Sequence, residues 1–260
     1  MSDAAAPPVL EMRGIRKTFP GVVALDGVDL TLHAGDVHML LGENGAGKST
    51  LMKILGGAYR KDAGEIRMNG AAVDIDSPRA ARDLGIRVIY QELNLVPHLS
   101  VAENIFLGDL PSRFAGVVDW RALTERTTAL LADLGMALDP RAPVGRLGIA
   151  QRQMVEIAKA LASPGTSILV MDEPTSSLTS REVTQLFALV ERLTARGVSI
   201  VYITHRLDEV FRIGRRITVL RDGRHITTAP IDQVQVPQLV RLMANRDLNE
   251  HFPKQPAPRG

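Results

Sequence analysis

The stretch Gly42-Glu43-Asn44-Gly45-Ala46-Gly47-Lys48-Ser49-Thr50 constrains this chain more than any other. It follows an apolar run, Asp36–Leu41, that predicts a β-strand, and it leads into Leu51, Met52, Ile54 and Leu55 at helical spacing. Gly56-Gly57 ends that helix, as glycine past a C-terminus does. The glycines let backbone N–H groups turn inward around a polyphosphate with no side chain in the way. The helix that follows presents its positive end to the same anion. Lys48 can reach the β- and γ-phosphates, and Ser49 offers a hydroxyl to Mg²⁺. A glycine-rich strand–helix turn can also exist without a ligand. Here the strand before and the helix after supply the context that the phosphate-binding pattern requires.

The rest of the chain extends this α/β reading. Val9–Arg13 and Val28–Leu32 predict strands flanking a turn-rich stretch, Thr18–Asp26. Glu65–Asn69 and Val73–Ile75 predict a hairpin, and Ile86–Tyr90 another strand. From about residue 93 to 165 the pattern turns helical, over Val101–Leu107, Trp120–Leu134 and Gln151–Leu161. Strands return at Ile168–Met171 and Val198–Ile203, separated by a helix over Arg181–Arg196. Such alternation predicts a parallel sheet with crossover helices, and the helical block reads as an inserted subdomain. A late hairpin (Ile217–Leu220, Gly223–Thr228) and a helix over Val236–Ala244 follow. Residues 1–8 read as a disordered N-terminus, 9–246 as one domain and 247–260 as a connector or tail.

Bulk properties narrow the partners. Of 260 residues, 31 are Lys or Arg and 29 Asp or Glu, a near balance that argues against a dedicated nucleic-acid binder. With no cysteine there is neither a disulfide framework nor a thiolate metal site. The first eight residues do not read as a signal peptide. No run reaches the roughly 18 apolar residues of a membrane span, so membrane association is expected only through partners. The cluster Arg212, Arg215, Arg216, Arg221 and Arg224 reads as a solvated face.

A second constellation is Ile168-Leu169-Val170-Met171-Asp172-Glu173. An apolar strand ending in two acids places carboxylates at the C-terminal edge of a parallel sheet, where ligands bind. Asp172 would hold Mg²⁺ through water, leaving Glu173 free to orient or deprotonate an attacking water. An adjacent acidic pair can instead cap the next element, a reading that the phosphate loop makes the poorer one.

With their spacing, these two motifs resemble the ATP-binding cassette (ABC) family over Val9 to Ala244. The resemblance implies a P-loop NTPase fold of the α/β class. Its mainly parallel core would carry an N-terminal antiparallel β region and the inserted helical subdomain. It also assigns further residues. Phe19 stands where the family places an aromatic against adenine, although a packing phenylalanine is the bland alternative. Gln91 resembles the glutamine that senses Mg²⁺ and links to transporter subunits. His205 resembles the switch histidine at the γ-phosphate, and Ser176-Ser177-Leu178-Thr179 occupies the D-loop.

One segment departs from the family. Where it reads roughly Leu-Ser-Gly-Gly-Gln, this chain has Leu147-Gly148-Ile149-Ala150-Gln151. Gly148 lacks the serine hydroxyl that normally meets the opposite cassette's γ-phosphate, and Ala150 has less backbone freedom than glycine. The helix beyond, Gln151–Leu161, still matches. Altered signatures of this kind resemble the N-terminal half of bacterial monosaccharide-import ATPases of the ribose, xylose or galactose type. In those, two cassettes are fused and the second carries a good signature. The segments Ile89–Leu95 and Val101–Gly108 are similar to that group, and Arg246–Lys254 looks like its connector.

What the resemblance implies is an ATPase with ATP and Mg²⁺ as cofactors, peripheral on the cytoplasmic side of the cell membrane. Its partners would be transmembrane permease subunits, a second cassette with an intact signature and an extracytoplasmic sugar-binding protein. Ser49, Gln91 and Asp172 would serve the metal, and Glu173, His205, Gln91 and Lys48 the chemistry. Two other readings stay open: a non-transport ABC ATPase, and a non-hydrolysing regulatory nucleotide-binding module.

Overall fold

The computed structural model describes residues 8–113 and 116–244. β1 (Pro8–Phe19) and β2 (Val22–His33) form an opening antiparallel hairpin. β3 (Val37–Leu41) runs through the glycine loop into α1 (Lys48–Leu55). Next come β4 (Ala63–Met68), β5 (Ala71–Ala72), α2 (Pro78–Asp83) and β6 (Ile86–Ile89). The helical block follows as α3 (Val101–Ile105), α4 (Trp120–Asp133) and α5 (Ile149–Leu161). Alternation resumes with β7 (Ile168–Asp172), α6 (Ser180–Ala195), β8 (Ser199–Ile203), α7 (Leu207–Ile213) and β9 (Arg216–Arg221). β10 (Arg224–Pro230) and α8 (Val236–Ala244) end the described chain.

These elements make two sheets. The larger has the order β10-β9-β3-β8-β7-β6. Its strands β9, β3, β8, β7 and β6 are parallel, and β10 adds an antiparallel edge. The smaller is antiparallel, in the order β2-β1-β4-β5. Every residue of β3 and β8 is buried, as expected of strands covered on both faces. Side-chain alternation then sorts the core into two layers. Met39, Leu41, Leu169, Met171, Ile200 and Tyr202 pack with the apolar faces of α5 and α6. Leu40, Ile168, Val170, Val201 and Ile203 pack on the other side with α1 and the antiparallel sheet. The parallel strands therefore end along one edge, where both chemical motifs emerge.

Several expected boundaries move. Thr18–Asp26 is not a turn region but the tip of the β1–β2 hairpin, with Thr18 opposite Val23 and Phe19 opposite Val22. Only Pro20 and Gly21 turn, and Thr18, Val22 and Val23 have the β-branched shape that suits strands. Asn69 leaves its expected strand for a turn with Gly70, at φ 49° and 81°, the pair of positive angles a tight hairpin needs. The partner strand accordingly forms at Ala71–Ala72 rather than Val73–Ile75. Two short helices, α2 and α7, were not expected. The first carries a legible cap, since Ser77 accepts from the Ala80 N–H ahead of Pro78. α5 begins at Ile149, so the altered signature segment enters the helix itself. Pro8 already belongs to β1. Residues 1–7 of the expected N-terminal segment and the tail from residue 245 onward lie outside the described residues. Among the described residues, no helix is long and apolar enough to cross a membrane.

Candidate functional site

β3 delivers the chain to Gly42, whose φ of 147° and tight packing exclude any side chain. A Cβ there would stand 2.3 Å from the Leu220 carbonyl oxygen of β9. Gly47 ends the loop at φ 101°, and its Cβ would fall 2.8 Å from the Ala24 carbonyl oxygen of β2. The loop is thus pressed between both sheets, and only glycine fits at its two ends. Ala46 closes it with an N–H bond of 3.1 Å to the Glu43 carbonyl. Ala46 is buried, while Glu43, Asn44, Gly45 and Ser49 are open to solvent. α1 has no side-chain cap and no acid in its first turn, which leaves its N-terminal charge for an anion.

Lys48 is half-buried. Its Nζ donates to the Gly42 carbonyl at 2.7 Å and to the Glu43 carbonyl at 3.0 Å. Burial pulls its pKa down, and the nearby charges of Asp172 and Glu173 oppose that. Across the loop, Asp172 at the end of β7 has its pKa raised, by burial first and by the Glu173 charge second. Lys48 and Lys53 pull it back. An acid raised this way gains from an added cation.

Glu173 is the centre of the site. Its backbone sits at φ 47°, a left-handed angle uncommon outside glycine, asparagine and aspartate. Its N–H donates to the Ile203 carbonyl at 3.0 Å, which ties the turn after β7 to the end of β8. In this pose its carboxylate meets both residues that only the family resemblance had assigned. Gln91 Nε2 donates to Oε2 at 3.3 Å, and His205 Nδ1 lies 3.0 Å from Oε1. Gln91, Glu173 and His205 therefore form one hydrogen-bonded line along the sheet edge.

Phe19 is 37% exposed at the end of β1, so it is not a buried packing phenylalanine. Its ring meets Tyr59 edge-on at 5.3 Å, and Lys53 of α1 lies 5.3 Å from the Tyr59 ring.

Sequence reasoning missed Glu209. This α7 carboxylate is 1% exposed and collects four partners. Thr175 Oγ1 donates to it at 2.6 Å, Thr204 Oγ1 at 3.0 Å and Tyr202 OH at 3.1 Å, and Arg206 Nη1 lies at 3.3 Å. Burial, with the Glu209 charge second, drives the Tyr202 pKa up. Thr175 is two residues past Glu173, and Thr204 directly precedes His205. The only hint in the sequence was an acid one turn beyond that histidine.

At the altered signature, Gly148 stands at the N-cap of α5 with φ −65° and ψ 163° and gives no side-chain cap. Gln151 Oε1 accepts from its N–H at 3.2 Å. A Cβ on Gly148 would meet nothing within 4 Å. Among the described residues, no hydrogen bond joins 148–151 to Lys48, Asp172, Glu173, Gln91 or His205.

The family model described as ABC transporter matches residues 25–176, more than half of the chain. The ribose import ATP-binding protein RbsA 1 of Rubrobacter xylanophilus is 59% identical over 247 residues, covering 95% of this chain and 49% of that protein. A putative ribose/galactose/methyl galactoside import ATP-binding protein 1 of Burkholderia lata is 52% identical over 248 residues, covering 95% and 48%. The chain thus spans about half the length of the curated relatives it matches. In structure it is similar to the ADP conformation of MJ1267, an ATP-binding cassette of an ABC transporter. That match has a TM-score of 0.78 at 25% identity and covers 94% of this chain and 97% of the other. By family model, by relatives and by fold, the chain belongs to the ABC transporter family.

Proposed function

We propose that this chain binds Mg·ATP across Phe19, Gly42–Thr50 and Asp172, and that it hydrolyses ATP to drive import of a monosaccharide. The relatives' names supply the transport reading. A permease in the membrane and an extracytoplasmic sugar-binding protein complete the system, with this chain peripheral on the cytoplasmic face. A second cassette is required because Gly148 and Ala150 leave this chain's own signature without its serine and second glycine. The relatives are about twice as long, which leaves room for that cassette.

The observation that carries hydrolysis is the placement of Glu173 between Gln91 and His205. Glu173 would orient a water and take its proton, and His205 would hold Glu173 and meet the γ-phosphate. Lys48 would leave the Gly42 and Glu43 carbonyls for the phosphate oxygens, and the N–H groups of the loop would bind the β-phosphate. Ser49, Asp172 and Gln91 would hold the metal. This donor set fits Mg²⁺, which takes few protein oxygens and fills its remaining positions with phosphate and water. When bound, the ion neutralises charge on the phosphates. Most of the rate would come from positioning and charge stabilisation. The same line of three residues favours hydrolysis over a purely regulatory module.

The test is Glu173→Gln in the assembled two-cassette protein. ATP binding should persist while steady-state hydrolysis falls by about 10²–10⁴-fold, the span of a lost general base. Unchanged turnover would remove Glu173 from this role.

A further inference from the structure

The β1–β4 ladder stops at Arg16 opposite Ala63, so the backbone just before Phe19 pairs with β2 alone. The β1–β2 ladder slips between Ile15 and Lys17 and again between Lys17 and Thr18. Asp62, directly before β4, continues the hold on the β4 side. Its Oδ1 accepts from Lys17 Nζ at 2.6 Å. Its Oδ2 accepts from the Thr18 N–H at 2.6 Å and from the Thr18 hydroxyl at 2.7 Å. The Asp62 N–H in turn donates to the Arg16 carbonyl at 2.9 Å. Bonds to a carboxylate are the stronger kind. Lys17 first and Thr18 second hold this acid far below the usual carboxylate range.

The backbone beside Asp62 is close-packed. Gly64, two residues on, has φ 96°, and a Cβ there would lie 2.6 Å from the carbonyl oxygens of Arg13 and Gly14. β4 is therefore pressed against β1 next to the carboxylate. Tyr59, from the same connection between α1 and β4, supports the Phe19 ring edge-on. One short segment thus grips Phe19 twice, at its backbone through Thr18 and at its ring through Tyr59.

We propose that Asp62 is a positioning residue for base recognition, fixing Thr18 so that Phe19 is presented as a ready-made stacking surface for the purine of ATP. This rests on the reading that Phe19 stacks on adenine. A preset ring loses less freedom on binding, and that is where the affinity gain arises.

The experiment titrates the 260-residue chain with Mg·ATP and, separately, with Mg·tripolyphosphate, which has the phosphates but no base. The variants are Asp62→Ala, Phe19→Ala and the double variant. Asp62→Ala should weaken ATP binding about three- to tenfold and leave tripolyphosphate binding unchanged, a loss on the scale of one stacking contact. Added to Phe19→Ala, it should cost nothing more, because both act through one ring. Equal weakening of both ligands by Asp62→Ala would assign Asp62 to the general structure of the site and overturn the proposal. If Phe19→Ala weakens ATP binding and Asp62→Ala does not, the proposal fails while the stacking reading stands. If Phe19→Ala changes nothing, the stacking reading fails and takes the proposal with it. Should Asp62→Ala not fold, Asp62→Asn keeps an acceptor for Thr18 without the charge. It must then show the same base-selective loss in smaller size, and equal affinity for ATP would overturn the proposal.

Discussion

Lys48 is a cation held between two loop carbonyls that accept its hydrogen bonds and two acids that favour its charge. A polyphosphate offers it a better partner than two neutral carbonyls do. Lys48→Ala should therefore cost at least tenfold in Mg·ATP affinity, measured by titration calorimetry, with little loss of stability. Retained affinity would mean that the loop N–H groups bind the anion alone. A second residue acts away from the site. His38 of β3 is buried, its Nε2 lies 2.7 Å from Thr218 Oγ1, and its Nδ1 has no partner. Burial, with the charges of Arg216 and His33, lowers its pKa from 6.5 to about 3. The unfolded chain therefore takes up a proton near pH 6.5 that the folded chain refuses until about pH 3. The stability His38 contributes is complete above pH 6.5 and declines as pH falls through that window. At pH 5 the loss would be about 2 kcal/mol by proton linkage. Denaturant melts at pH 8 and pH 5 should show it, and His38→Leu should shrink the difference between them. Equal pH dependence in the variant would trace the effect to other groups.

Among the elements, α7 does the most for the site relative to its length. Through Glu209 it joins the turn after β7 to the end of β8, the two segments that carry Glu173 and His205. Glu209→Ala would leave three buried hydroxyls without their acceptor, while the half-exposed Arg206 keeps Asp208 at 3.5 Å. The expected cost is about 3 kcal/mol, as for leaving buried hydrogen-bond donors without an acceptor. Chemical denaturation measures it, and a loss under 1 kcal/mol would show that water replaces the carboxylate. Beyond that acid one turn past His205, the sequence did not expose this cluster, because it depends on two strand ends and a helix meeting in space. The glycine loop and the Asp172–Glu173 pair were legible because each is a contiguous run whose chemistry is local. Gln91 and His205 were legible only through the family, since their bonds to Glu173 span 82 and 32 residues. The parallel strands could be read from their unbroken apolar runs. The β1–β2 tip could not, because Pro20-Gly21 made the paired residues around it look like an extended turn.

At the scale of the whole molecule, the proposed site and the altered signature segment stand apart. Gly42–Thr50, Gln91, Asp172, Glu173 and His205 share one sheet edge, while the segment at Gly148 opens a helix elsewhere. The chain should therefore hydrolyse ATP slowly by itself and quickly when another cassette brings an intact signature. Two substitutions test whether the deficit lies in residues 148 and 150 alone. Gly148→Ser fits without rearrangement, since φ is −65° and the space beyond is open. As an N-cap, serine gains a few tenths of a kcal/mol over glycine. Ala150→Gly, inside the first turn of α5, costs up to about 1 kcal/mol of helix stability. Fold should survive the pair, because the two effects are small and opposite. Turnover by the isolated double variant should rise at least tenfold and should depend on the square of protein concentration below saturation, as a site shared by two copies requires. Lys48→Ala in the same background should abolish that gain. Fast turnover by the unaltered chain, matching the assembled protein, would contradict the asymmetric reading. No gain in the double variant, with ATP affinity intact, would place the deficit in the dimer contact and not in the missing hydroxyl.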